Sequence, residues 1–240
     1  MTATEPLPER VRESWAELAG APGRFPPEGG VNVVVSPRSR LCPASWTGIV
    51  VLGDAALVTA PSGRTAELMT GVAGKLPRQA LVDADRLRGV LPVRDVLGPA
   101  SLFYLDRAGF RPARPAAVEE IPRDDDRLAA LAARAGEQDA GESGLEDITS
   151  SACVLRDGDD VVAAAGFRAW PGSVAHLGVL VAPGRRGRGL ARTVASEAVA
   201  RALGAGYLPQ WWARSHPSKR VALALGFREL GTQLSVRLGR

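Results

Sequence analysis

A turn dense in glycine and arginine, set between an apolar strand and a helix, constrains this chain more than any other stretch. Residues 176–181 (His-Leu-Gly-Val-Leu-Val) are apolar, β-branched toward their end and closed by Pro183, the pattern of a buried strand. Downstream, Leu190, Val194, Ala198 and Ala202 fall on one helical stripe, and Glu197 stands four residues before Arg201. Between them lie Gly184, Gly187 and Gly189, interleaved with Arg185, Arg186 and Arg188, with Arg192 just beyond. A helix start leaves N–H groups without intrahelical partners, and the helix dipole favours an anion there. Gly187 and Gly189 remove side chains that would hold a phosphate away, and the arginines bring fork-shaped donors to the same place. The stretch predicts a site for a pyrophosphate or another polyanion.

Two familiar nucleotide loops are excluded. No Lys-Ser/Thr pair follows, as a Walker loop requires, and neither Gly-x-Gly-x-x-Gly nor the acidic residue of a dinucleotide site is present. Arg186-x-x-Gly189-x-Ala191, preceded by Val181-x-Pro183, resembles the acyl-CoA pyrophosphate loop of the GNAT superfamily of N-acetyltransferases. A second stretch carries the same resemblance: a strand over 208–214, a short helix ending Leu225-Gly226-Phe227, and a closing strand through 233–238. By that resemblance Val179, Leu180 and Val181 border the pantetheine of acetyl-CoA. Arg185, Arg186, Gly187, Arg188, Gly189, Leu190, Ala191 and Arg192 hold its diphosphate. Ser215 stands where the family usually has a pantetheine-binding asparagine, with Ser218 three residues on; Ser215 is also a plausible N-cap, and both readings stay open.

The expected fold class is α/β (α+β), a GNAT-like mixed central sheet flanked by helices, with a smaller or degenerate α/β domain before it. Arg111 to Ala117, with two prolines, is the expected linker, giving domains of 1–112 and 118–240. After it come a helix over 124–136, a polar loop over 137–151, and a hairpin of 152–155 with 161–167. In the first half, 31–35, 48–52, 56–59 and 102–105 read as strands and 65–73 and 83–91 as helices. Its nearest approach to a phosphate loop, Ala60-Pro61-Ser62-Gly63-Arg64, has one arginine and one glycine, so this half is expected to hold no cofactor. A decayed copy of the later domain and an unrelated α/β cap both fit it.

The resemblance implies an acyl-CoA-dependent N-acetyltransferase in which a primary amine attacks the acetyl thioester directly. The alternative is a non-catalytic acyl-CoA-binding regulatory protein. Ala222 occupies the place where the family often has a tyrosine as general acid, so Ser215 or His216 nearby serves, or solvent does, or the enzyme is slow. His176 is the candidate base by its side-chain chemistry. Among the acidic residues of the 137–151 segment, Glu137, Asp139, Glu142, Glu146 and Asp147, Glu142 is the first choice for drawing in or deprotonating the amine. Trp211 and Trp212, adjacent on a strand, should face opposite sides.

Composition sets outer limits. Of 30 basic residues only Lys75 and Lys219 are lysine, a bias typical of GC-rich bacterial genomes, and the net charge is +4. The arginines do not interleave with aromatics along one surface, so no nucleic-acid partner is expected. Met1 to Glu5 lacks a signal pattern, and Asp54 interrupts the longest apolar run, so neither export nor a membrane span is expected. Cys42 and Cys153 read as free thiols, and two cysteines with two histidines, His176 and His216, make no metal site. The expected setting is the cytoplasm, the expected partner a small-molecule or protein amine, and pairing of two copies as a homodimer stays open.

Overall fold

The computed structural model describes residues 6–20 and 23–239; Met1 to Glu5, whose composition argued against a leader, lie outside them. The chain runs α1 (Leu7–Ala19), β1 (Gly30–Val35), β2 (Thr47–Leu52), β3 (Ala55–Ala60), α2 (Gly63–Ala73), α3 (Ala84–Arg88) and β4 (Val93–Tyr104). It continues with β5 (Glu119–Ile121), α4 (Asp126–Ala135), α5 (Glu137–Ser143), β6 (Ala152–Asp157), β7 (Asp160–Trp170) and β8 (Val174–Val181). Helix α6 (Leu190–Gly204), β9 (Leu208–Ala213), α7 (His216–Ala224) and β10 (Arg228–Leu238) complete it. The class is mixed α/β.

Two compact units emerge, Met1–Leu102 with Glu229–Arg240, and Phe103–Arg228. The sequence reading set the boundary at 112–118 and left the closing strand with the second half. In the structure that linker lies inside the second unit, and β10 runs antiparallel to β2, with Gly231 opposite Leu52 and Val236 opposite Thr47. Apolar β10 side chains Leu234 and Val236 are fully buried beside Ile49, Val51 and Val58, which accounts for the strand's place in the first unit.

In the first unit the strand order is β1-β3-β2-β10-β4, with β4 counted up to Leu102; its last two residues, Phe103 and Tyr104, belong to the second unit. Strands β2 and β3 form a hairpin turned by Gly53 at φ 59°, and both are buried along their whole length, which is why they read as continuous apolar runs. Helix α2 covers the sheet with Met69 and Val72. Helix α1, absent from the sequence reading, buries Leu7, Val11, Trp15 and Leu18 on one stripe.

In the second unit the order is β9-β8-β7-β6-β5. One face carries α6 and α7, packed through Val194, Ala198, Trp211 and Phe227; the other carries α4 and α5, packed through Leu128, Leu131, Ala140 and Leu180. The segment expected as a polar loop is helical over Glu137–Ser143, followed by a 3-10 turn at Leu145–Asp147. Two glycines bring this segment onto the sheet. Gly166 and Gly178 face each other across β7 and β8, and a side chain on Gly178 would lie 2.6 Å from the Gly144 carbonyl.

Candidate functional site

Strand β8 is paired with β7 along its whole length, from Val174 opposite Trp170 to Val181 opposite Ala163. On its other edge it meets β9 only at the start, where Val174, Ala175 and His176 lie parallel to Leu208, Pro209 and Gln210. Beyond that point the two strands part. A cleft of about 920 Å³ occupies the gap, lined by Leu177, Val179, Leu180 and Val181 on one side and Trp211, Trp212, Arg214 and Ser215 on the other.

The ladder fixes what β8 offers to this gap. Ala182 donates its N–H to the Val162 carbonyl, and the alternation of an antiparallel pair then turns the backbone groups of Leu180 and Gly178 toward β7. Those of Leu177, Val179 and Val181 turn toward the gap; the Val181 carbonyl accepts from Arg186 Nε at 3.3 Å on that side. Leu180 contributes its buried side chain, which packs with α4 and α5, and not its main chain. Leu177, read from the sequence as part of this strand but not as a site residue, shares the backbone phase of Val179 and Val181. Counting by twos from Val179 would have found it.

The arginine turn closes one end of the cleft. A 3-10 turn at Pro183–Arg185 leads to Gly187 and Gly189, at φ 76° and 81°, a left-handed backbone that suits glycine. Gly189 caps α6 with no side-chain hydrogen bond, so the first N–H groups of the helix have no intrahelical acceptor. Nothing lies within 4 Å of where a side chain on Gly187 or Gly189 would begin. Arg185, Arg186, Leu190, Ala191 and Arg192 line the cleft; Arg188 is exposed and does not. Arg185 pairs with Asp157, and Arg186 with Asp139 of α5 at 2.6 Å. The expected diphosphate residues, Arg188 excepted, thus gather at one helix start with two carboxylates as present partners.

At the end where β8 and β9 still pair, a cluster of rings forms. His176 stacks on Trp170 with centroids 4.8 Å apart and an interplanar angle of 19°, and meets the edge of Trp212 at 4.8 Å. Its Nδ1 lies 3.0 Å from Gln210 Oε1. Burial pushes the His176 imidazole down to about 4, against the Gln210 hydrogen bond, so it is neutral at physiological pH. Trp212 shares the face of His176, while Trp211 points into the α6–α7 core and donates its Nε1 hydrogen to Ser218 Oγ at 2.9 Å. The two rings do face opposite sides.

Ser215 caps α7, its Oγ accepting from the Ser218 N–H at 3.4 Å, and both serines line the cleft. Ala222 is fully buried in the apolar core, with no polar atom to offer. Asp139 and Glu142 of α5 line the cleft; Glu137, Glu146 and Asp147 do not, and Asp147 lies 3.5 Å from Arg168. His216 is exposed outside it. Trp170 and Gln210 belong to this cluster through tertiary packing that spacing along the chain does not signal.

Cys42 and Cys153 are free, and burial pushes both thiols up to about 11. Among the described residues no cluster of three metal-ligating side chains occurs, and no helix is long and apolar enough to cross a membrane.

Residues 151–232, which include β6 to α7 and the whole arginine turn, match the family model described as GNAT acetyltransferase. Structural likenesses are remote. An acetyltransferase of the GNAT family from Novosphingobium aromaticivorans is 21% identical over 60% of this chain and 65% of its own, with a TM-score of 0.48. This chain therefore spans under two thirds of that protein. A GCN5-related N-acetyltransferase-like protein from Streptococcus suis is 17% identical over 96% of this chain and 99% of its own, TM-score 0.48. A tandem GNAT protein from the clavulanic acid biosynthesis pathway is 13% identical over 95% and 93%, TM-score 0.46. No curated protein matches the chain. The arginine turn and both strands that flank the cleft, β8 and β9, lie within the residues that match the GNAT acetyltransferase model.

Proposed function

We propose that the protein is an acyl-CoA-dependent N-acetyltransferase that passes an acetyl group from acetyl-CoA to a primary amine by direct attack. One observation carries the reading: the uncapped start of α6, ringed by Arg185, Arg186 and Arg192, opens on the same cleft as the free edge of β8. The residues fit the ligand's chemistry. Helix N–H groups and arginine forks suit a diphosphate, and the backbone groups of Leu177, Val179 and Val181 suit the amides of an extended pantetheine arm. When bound, acetyl-CoA supplies an activated thioester, and the protein has to orient it and manage protons.

His176 is the proton acceptor in this reading. It lines the cleft, and its neutral imidazole has a lone pair to offer an attacking amine. Glu142, exposed on α5, draws the cationic amine toward the cleft. Ser215 keeps its own O–H to donate to a departing thiolate, since its Oγ serves the helix cap as acceptor. The acceptor is a small molecule or a protein amine, and we place the protein in the cytoplasm of a bacterium.

A second reading, a non-catalytic acyl-CoA binder, draws on Ala222, whose methyl group fills the place of the family's usual acid. Titration calorimetry with acetyl-CoA, followed by a screen for CoA release across primary amines, decides the matter. Binding with amine-dependent release supports the transferase, and binding with no release from any amine supports the binder. Absence of binding refutes both.

A further inference from the structure

A polar chain runs from His176 away from the cleft into the interior. Gln210 Oε1 lies 3.0 Å from His176 Nδ1, and Gln210 Nε2 donates to the Tyr104 hydroxyl. Gln210 is 1% exposed and Tyr104 fully buried, so water does not compete for these groups. An amide carries its hydrogens on nitrogen alone. With Gln210 Nε2 turned to Tyr104, Oε1 can only accept, and the hydrogen between the two side chains belongs to His176 Nδ1. Stacking on Trp170 and the edge of Trp212 hold the ring plane in place.

We infer that Gln210 is a positioning residue that holds His176 as the Nδ1–H tautomer, leaving Nε2 as the lone pair that takes the proton of the attacking amine. This rests on the acyl-transfer reading above. In the step it serves, an N–H bond of the protonated amine breaks and its proton forms a bond to His176 Nε2, while the N–H electron pair stays on nitrogen as the lone pair of the neutral amine that attacks the thioester. Nδ1 keeps its hydrogen on Gln210 Oε1 throughout, and the imidazolium afterwards returns the Nε2 proton to water. Gln210 does not line the cleft, so it acts only through His176.

The charged and titratable groups around the ring divide. Arg168 on β7 opposes an imidazolium, Asp147 on the turn after α5 favours it, the Tyr104 phenol stands beyond Gln210, and Glu142 shares the cleft. Burial outweighs Asp147 and keeps the midpoint near 4. A carboxylate at 210 would reverse that balance.

Nitrogen-15 NMR of the ligand-free full chain tests the inference directly, because the chain has only two histidines. A His176→Asn spectrum assigns the signals, and the exposed His216 serves as internal reference. The expected result is a neutral Nδ1–H tautomer for His176 at pH 7, and a neutral Nε2–H tautomer overturns the inference. Gln210→Glu should keep Nδ1 protonated and raise the His176 midpoint by about one pH unit or more, since a carboxylate favours the cation. Gln210→Leu should abolish the tautomer preference. An unchanged tautomer in Gln210→Leu also overturns the role, and if that variant does not fold, the wild-type and Gln210→Glu spectra decide alone. Acetyl-CoA calorimetry on the same samples separates the two levels. An Nε2–H tautomer in the wild type with intact binding sinks this inference alone, whereas absent binding by the wild type with the Nδ1–H tautomer intact sinks the acyl-transfer reading.

Discussion

Each unit contains a strand that runs through a turn into a helix, and the two helix starts are finished differently. In the first unit β3 ends at Ala60 and Ser62 sits in extended backbone before α2. Its Oγ accepts the Thr65 N–H at 3.3 Å and lies 3.0 Å from the Thr65 hydroxyl. In the second unit the cap is Gly189, in left-handed backbone and without a side chain, and three arginines line the cleft beside it. A serine cap supplies the acceptor oxygen from the protein itself. A glycine cap flanked by arginines leaves that acceptor to come from outside, together with negative charge. The comparison teaches that the α6 start is set apart as much by its missing side-chain cap as by its cations.

The harshest test of that contrast puts bulk and negative charge at each start in turn. Gly189→Glu should weaken acetyl-CoA binding by more than about 100-fold in calorimetry, because it adds a carboxylate where phosphate belongs and strains a positive-φ position. Gly63→Glu, at an exposed site with open space around it, should leave the dissociation constant unchanged. Equal effects at both positions would dissolve the distinction between the two helix starts.

Protons divide the units in a second way, since both histidines lie within Phe103–Arg228. His176 has its midpoint lowered from 6.5 to about 4, so the unfolded chain binds the proton more readily than the folded one. The stability this confers is complete above about pH 6.5 and falls away as pH drops toward 4; a shift of this size corresponds to roughly 3 kcal/mol. Urea unfolding at pH 7 and pH 4.5 should show this loss in the wild type and a smaller one in His176→Asn. An identical pH response in the two proteins would remove His176 from the account.

Arg186→Ala should weaken CoA by about 1–3 kcal/mol and leave the much weaker binding of pantetheine unaltered, since only the former carries a diphosphate. Equal losses for both ligands would mean that Arg186 shapes the cleft without holding phosphate. In the first unit, Ser62→Ala should cost about 1 kcal/mol of stability in urea unfolding without touching CoA affinity. A cap substitution with no effect on stability would show that Ser62 does not complete its helix.

How much of this was legible along the chain depended on whether a signal was local. The cleft strand, the glycines and the helix stripe through Val194 and Ala198 were readable, because periodicity and turn chemistry are local. Helix α1 was readable too, through Leu7, Val11, Trp15 and Leu18, and was missed. Helix α5 was not, since Glu-Gln-Asp-Ala-Gly-Glu-Ser buries only Ala140 and contains a glycine. Strand β4 begins at Val93, well before the 102–105 run legible in the sequence; Gly98 and Pro99 inside it interrupt the strand pattern and conceal its first half. Gln210 reads as an ordinary strand residue; its meaning depends on His176, 34 positions away, and on Tyr104, 106 away.

The smallest expected effect concerns the carboxylate that now partners Arg186. Asp139 meets the guanidinium at 2.6 Å, with both side chains roughly half exposed, so the pair contributes at most about 1 kcal/mol. A diphosphate at the α6 start has to compete with Asp139 for the same donors. Asp139→Asn removes the rival charge and should tighten CoA binding by about two- to fivefold at low ionic strength, a gain that fades as salt screens the pair. Pantetheine should bind both proteins alike. Arg64, the one arginine beside the Ser62 cap, has no ion-pair partner of this kind among the described residues, so the effect belongs to the glycine-capped start alone. A weaker CoA complex in Asp139→Asn would mean that Asp139 aims Arg186 at the phosphate instead of withholding it, and the contrast between the two helix starts would then include a carboxylate that belongs to the binding site.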